Sequence, residues 1–174
     1  LDIRIVCGLV HIRIVYQTTK RGKPSHGRAR IPIQQQSEID MAQRDAIFPA
    51  NRHALYEAHG YSAAIRSGDL LFVSGQVGSR PDGSPEPDFG RQVQLAFDNL
   101  KAVLEAAGCT VDDIVDVTTF HTDPEQQFGA IMAVKEQVFS QLPYPNWTAV
   151  GVTWLAGFDF EIKVIARIPA SAKA

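Results

Sequence analysis

From Phe158 to Ile168 the chain alternates without a break. Phe158, Phe160, Ile162, Val164, Ala166 and Ile168 fall on one side, and Asp159, Glu161, Lys163, Ile165 and Arg167 on the other. Strand side chains point to opposite faces in turn, so this segment is a strand with one face for a core and one mostly charged face. A turn at Ala156-Gly157 separates it from a second strand, Trp147 to Leu155. That strand follows the Pro-rich turn Pro143-Tyr144-Pro145-Asn146. It is apolar on both faces, with Val150, Val152 and Trp154 on one and Trp147, Ala149 and Leu155 on the other. A sheet that is oily on both sides needs cover on both sides.

The cover for one side is written upstream. Asp88 is placed to cap a helix running to Ala107, with Gly108 just past its end. Its apolar stripe is Val93, Phe97, Leu100, Val103 and Leu104. Asp123-Pro124-Glu125 starts a second helix with a cap, a first-turn proline and an acid near the positive helix end. This helix is expected to bury Phe128, Ile131, Val134, Val138 and Phe139, and Pro143 and Pro145 stop it. Tyr61 to Arg66, LLFVSG from Leu70, and Ile114 to Thr122 read as further strands, and Ser67-Gly68-Asp69 turns the first into the second. The order β-β-α-β-α-β-β gives an α+β fold, one mixed sheet with two helices on one face. Two helices leave the other face open, which predicts a homo-oligomer packed through its sheets, with clefts at the subunit boundaries.

Residues 1–40 differ from the rest. They hold seven Lys/Arg against three acidic residues, two copies of IRIV, and the polar run TTKRGKPSHGRAR. They read as a basic N-terminal extension that is partly disordered or not native to the folded protein, or alternatively as a hairpin. Arg4 and Arg13 interrupt the apolar part and no small-residue cleavage site follows, which argues against a signal peptide. Residues 41–174 form the domain proper. Their ten basic and sixteen acidic residues oppose the phosphate-binding surface that nucleic acid requires. Cys7 and Cys109 lie far apart without metal-ligand spacing, which suits a reducing, cytoplasmic setting. No apolar run approaches the roughly 20 residues of a membrane helix. Asp112, Asp113 and Asp116 have no nearby His to make a metal set and read as a solvated turn. No metal or cofactor is expected.

Three blocks together resemble the RidA/YjgF family, in its YjgH-like branch: HGYSAAIRSGDLLFVSGQVG, DNLKAVLEAAGCTVDDIVDVTTFHTD, and the closing FEIKVIAR with NWTAVGVTWLAGFDF before it. The likeness spans Phe48 to Pro169. It implies a chorismate-mutase-like fold, a homotrimer, and intersubunit clefts that hydrolyse small imines or enamines. The family site positions fall on Tyr61, Ser74 and Gly75, with the cleft-lining Ala149 beside Trp147. Here the chain departs from the pattern. The family's carboxylate-binding arginine falls on Trp147, its water-positioning glutamate on Lys163, and an asparagine of the second helix on Met132.

An indole has one donor and no charge, whereas a guanidinium grips a carboxylate through two charge-assisted bonds. The resemblance, so altered, implies a substrate that is aromatic, neutral or cationic. Glu161 is the candidate general base and Lys163 the candidate anion holder, unless they form a plain ion pair. Trp147 is a ligand wall or an interface residue, and Tyr61 a donor or a space-filling ring. Ser74 lacks a His-Asp partner in sequence and reads as a hydrogen-bonding group. Trp154 and Cys109 read as packing, and His121 as a satisfied or exposed histidine. An enzyme and a non-catalytic metabolite-binding or chaperone-like trimer both remain open at this point.

Overall fold

A computed structural model describes residues 44–50 and 54–170. The expectations for residues 1–40 lie outside the described residues. In chain order the elements are β1 (Asp45–Ile47), α1 (Ala54–Ala58), β2 (Ala64–Ser67), β3 (Leu70–Val77), α2 (Phe89–Ala106), β4 (Ile114–His121), α3 (Pro124–Val138), β5 (Asn146–Gly151) and β6 (Phe160–Arg167). The six strands form one mixed sheet in the order β1-β2-β3-β6-β4-β5. The α+β architecture is as expected, with β1 and α1 added at its start.

The helix boundaries follow the chemistry of their ends. The Asp88 carboxylate accepts from the Arg91 amide at 2.9 Å, and Asp123 accepts from Gln126 at 3.3 Å with Pro124 opening α3. Past α2, Gly108 takes φ 71°, a left-handed value that costs a residue without a β-carbon little. Val93, Phe97, Leu100, Val103 and Leu104 of α2 are buried against Phe160, Ile162, Val164 and Ala166 of β6 and Leu71 and Val73 of β3. Phe97 stacks on Phe160, ring centres 6.0 Å apart. The alternation of β6 is therefore the division between core and open face, as its sequence requires.

Several expectations fail locally. Phe128 is half exposed rather than buried, because the inward stripe of α3 runs through Gln127, Ile131 and Val134. Gln127 takes the inward place: its amide donates to Thr122 Oγ1 at 3.0 Å and accepts from the Asp123 amide at 3.1 Å. β2 starts at Ala64, and Tyr61 precedes it. β5 stops at Gly151, so Val152, Trp154 and Leu155 lie beyond it, and Trp154 is 74% exposed instead of packed. β5 and β6, consecutive in sequence, are not neighbours. β5 crosses to the far side of β4 and pairs with it in parallel, Val117 opposite Trp147 and Thr119 opposite Ala149.

The face away from the helices carries Phe72 beside Ile165, and Phe120 beside Glu161. Phe72 is 41% exposed there. Among the described residues no helix is long and apolar enough to cross a membrane.

Candidate functional site

The eight residues singled out in the sequence fall into two groups on opposite faces of the sheet. The first group forms where the β3–β6 ladder breaks. Val73 pairs with Val164 and Gln76 with Ile162, so Ser74 and Gly75 together face Lys163 in a bulge. Bulges re-aim side chains and recur beside active sites. A β-carbon on Gly75 would overlap the Glu161 carboxylate, so glycine is what lets that carboxylate lie against the backbone of the bulge. Gln76, the next residue, accepts from the Tyr56 hydroxyl at 2.9 Å and donates to the Ser74 carbonyl at 3.0 Å, which fixes the turn from within. Ser74 donates its hydroxyl to the Ser62 carbonyl at 2.7 Å and its amide to the Ala63 carbonyl at 2.9 Å. Ser74 therefore acts as a hydrogen-bonding clamp on the loop that carries Tyr61.

Electrostatics joins Tyr61 to this group. Burial raises the Glu161 pKa above the usual carboxylate value, and the nearby Lys163 ammonium partly offsets the rise. Burial raises the Tyr61 hydroxyl too, with the Glu161 charge adding to it. The Tyr61 ring meets Tyr56 edge-on at 5.3 Å, and the Tyr56 hydroxyl is pushed up to about 12, chiefly by burial. A half-buried carboxylate of raised pKa, a phenol and an ammonium thus surround a backbone bulge. Burial that raises the proton affinity of the carboxylate suits it to act as a base.

The second group sits on the helix face at the β5 edge. Trp147 lies on the side of β5 that packs against the core. Its indole N–H donates to Thr119 Oγ1 at 3.1 Å, and that hydroxyl also meets His121 Nε2 at 2.8 Å. The Phe139 ring stands edge-on to the indole at 5.6 Å, and the Lys135 ammonium lies over it at 4.8 Å from the ring centre. Met132, one turn before Lys135, lines an adjoining pocket. Ala149 is on the same face as Trp147, two residues on, and exposed. Glu161 and Lys163 point to the other face, two strands away. In one chain, Lys163 is therefore not the cation beside Trp147; Lys135 is. Sequence reasoning missed Lys135, although Met132, Lys135 and Phe139 share one face at helical spacing.

His121 is fully buried, neither exposed nor fully satisfied. Its Nδ1 has no partner among the described residues, and burial lowers its pKa. Cys109 is a buried free thiol whose pKa burial raises, in keeping with packing. No cluster of three or more His, Cys, Asp or Glu among the described residues could hold a metal.

The family model described as endoribonuclease L-PSP matches residues 51–168. The chain belongs to this family, the RidA/YjgF family. It is 78% identical over 129 residues to the RutC family protein YjgH of Escherichia coli (strain K12), covering 74% of this chain and 98% of that protein. It is 36% identical over 97 residues to a 2-iminobutanoate/2-iminopropanoate deaminase of Dermatophagoides farinae, covering 55% of this chain and 74% of that one. The solved structure of protein YJGH superposes with a TM-score of 0.72 at 77% identity, over 74% of this chain and 98% of that chain. The family model spans β2 to β6, both long helices and both residue groups.

Proposed function

We propose that this chain hydrolyses a small imine or enamine to a carbonyl compound and ammonia, in clefts completed between copies of itself. The observation that carries the reading is the Glu161 carboxylate held against Gly75, half-buried, with its pKa raised. The relative that deaminates 2-iminobutanoate and 2-iminopropanoate supports the reaction class. Water adds to the C=N carbon of the protonated imine while Glu161 takes a proton from the water, which leaves a carbinolamine with a neutral amine. The proton then returns to that amine, the C–N bond breaks as the hydroxyl gives up its proton to Glu161, and ammonia leaves with a C=O behind. A bulge leaves a residue outside the ladder. The backbone at Ser74-Gly75 would meet charge that develops during the addition. Lys163 and Tyr61 supply a cation and a hydroxyl beside it.

The two groups explain why copies are needed. One chain turns Glu161 and Trp147 to opposite faces, so neither group can close over a ligand with the other in the same chain. An open sheet face with Phe72 and Ile165 on it gives a surface for self-association. A homotrimer that packs these faces inward would bring the Gly75 side of one copy to the Trp147 side of the next. The acidic balance after Asp40 weighs against RNA as substrate.

The test is ammonia release from freshly generated 2-iminopropanoate and from an aromatic imine. General base catalysis contributes about 10²–10⁴-fold, so Glu161→Gln should lose about that factor. Ammonia release at the uncatalysed rate with both imines, or full activity in Glu161→Gln, would overturn the proposal.

A further inference from the structure

The pocket beside Lys135 has a volume of about 420 Å³ and is lined by Met132, Lys135, Glu136, Phe139, Ser140 and Tyr144. That is within the size range of small-molecule sites. Its walls are a thioether, two aromatic rings and a hydroxyl, and its two charges stand on α3. The Lys135 ammonium is not free to wander. The indole face beneath it attracts a cation, and the indole is itself fixed by Thr119 and by the edge of Phe139. No carboxylate of the described residues forms an ion pair with Lys135. Glu136, next in the helix, is exposed and lines the same pocket.

A lysine stem lying on an aromatic ring is also a common packing device. Two features go beyond packing. The ammonium has no carboxylate partner among the described residues although a carboxylate is its neighbour in sequence, and it borders an open pocket with partly apolar walls. We propose that Lys135, preorganised by Trp147, anchors the carboxylate of a small monocarboxylate whose apolar or aromatic body lies against Met132 and Tyr144. Glu136 on the rim discriminates against a second negative charge. The uncharged Trp147 by itself pointed to a neutral or cationic ligand; the cation lying over it reverses that. The inference deepens the function proposed above, since it names the carboxylate-binding residue of the same cleft, and it rests on that reading for the ligand's size and class.

The experiment is a titration of the full chain carrying Trp154→Phe, so that the fluorescence reports Trp147. The probes are benzoate, its neutral isostere benzamide, and phthalate. Benzoate should quench saturably and bind more tightly than benzamide. Lys135→Met should weaken benzoate about tenfold to a hundredfold, the loss of one charge-assisted hydrogen bond, and leave benzamide unchanged. Lys135→Arg should retain most of the benzoate affinity. Phthalate should bind more weakly than benzoate, and Glu136→Gln should narrow that gap. Equal affinity for benzoate and benzamide in the Trp154→Phe parent, absence of saturable binding at millimolar benzoate, or unchanged benzoate affinity in Lys135→Met overturns the proposal. The comparison of benzoate with benzamide decides even if Lys135→Met fails to fold. The titration reads binding and not turnover. Benzoate held through Lys135 without ammonia release would sink the hydrolytic reading and keep this one, and the opposite pair of results would do the reverse.

Discussion

Removing the hydroxyl of Thr119 should destabilise this protein far more than its size suggests. Thr119 is fully buried, and its Oγ1 meets the Trp147 N–H at 3.1 Å and His121 Nε2 at 2.8 Å, with the Thr148 carbonyl at 3.5 Å. His121 Nδ1 already lacks a partner among the described residues. Thr119→Val therefore leaves an imidazole with neither nitrogen bonded and a half-buried indole N–H unpaired. A buried polar group left without a partner costs about 1–3 kcal/mol. With the histidine at full weight and the exposed edge of the indole discounted, the change should cost about 2–4 kcal/mol. Thr119→Ser keeps the hydroxyl and loses one methyl, about 1 kcal/mol. Urea unfolding followed by circular dichroism, at one fixed protein concentration, measures the difference. The Ser variant should be the more stable by about 1–3 kcal/mol. If Thr119→Val matched Thr119→Ser, the hydroxyl would not be the shared partner described here.

Three further outcomes follow from the same geometry. Burial lowers the His121 pKa below its unfolded value of 6.5, so the unfolded chain binds more protons between the two values, and stability should fall as pH drops through about 6.5 and level off below the folded pKa; His121→Asn should flatten that slope in thermal unfolding from pH 7.5 to 5. Gly75→Ala drives a β-carbon into the Glu161 carboxylate, a flexible group, whereas Gly78→Ala drives one into the backbone carbonyl of Gln92. The first should cut ammonia release at least about tenfold with modest loss of stability, and the second should destabilise by about 1–3 kcal/mol or more; equal effects on stability would count against this placement. Ile165→Asp puts a charge at the centre of the open sheet face, and sedimentation should show smaller species than the parent; an unchanged assembly would mean that this face is not the contact.

Local signals in the sequence carried the fold well. Asp88, Asp123-Pro124 and Gly108 marked helix ends through backbone chemistry that acts within a turn, and the period-two pattern of Phe158–Ile168 located the core face. What failed was decided at longer range. Phe128 looked like a core residue at helical spacing, yet Gln127 won the inward place because it satisfies Thr122 and Asp123. Nothing in NWTAVG tells that it pairs in parallel with β4 instead of lying beside β6. The candidate site was legible on the Gly75 side, where a bulge and a carboxylate come from two adjacent strands. The Trp147 side was not, because the face its indole takes depends on β5 crossing the sheet. The cation lying over it comes from a helix whose pattern suggested only packing.

The central claim is that the Gly75–Glu161 side of one copy and the Trp147 side of another enclose one cleft. Two chains with one introduced cysteine each test it directly, Ser74→Cys in one and Ala149→Cys in the other, each also carrying Cys7→Ser, with the native Cys109 buried. The two are refolded together and treated with a short bis-maleimide. Within one chain these positions lie on strands separated by β6 and β4, so a link joining the two different chains has to cross between copies. A linked pair that forms in the mixture, and not in either variant refolded alone, is the predicted result. No linked pair in the mixture, or a link formed inside a monomer that carries both cysteines, would contradict the account.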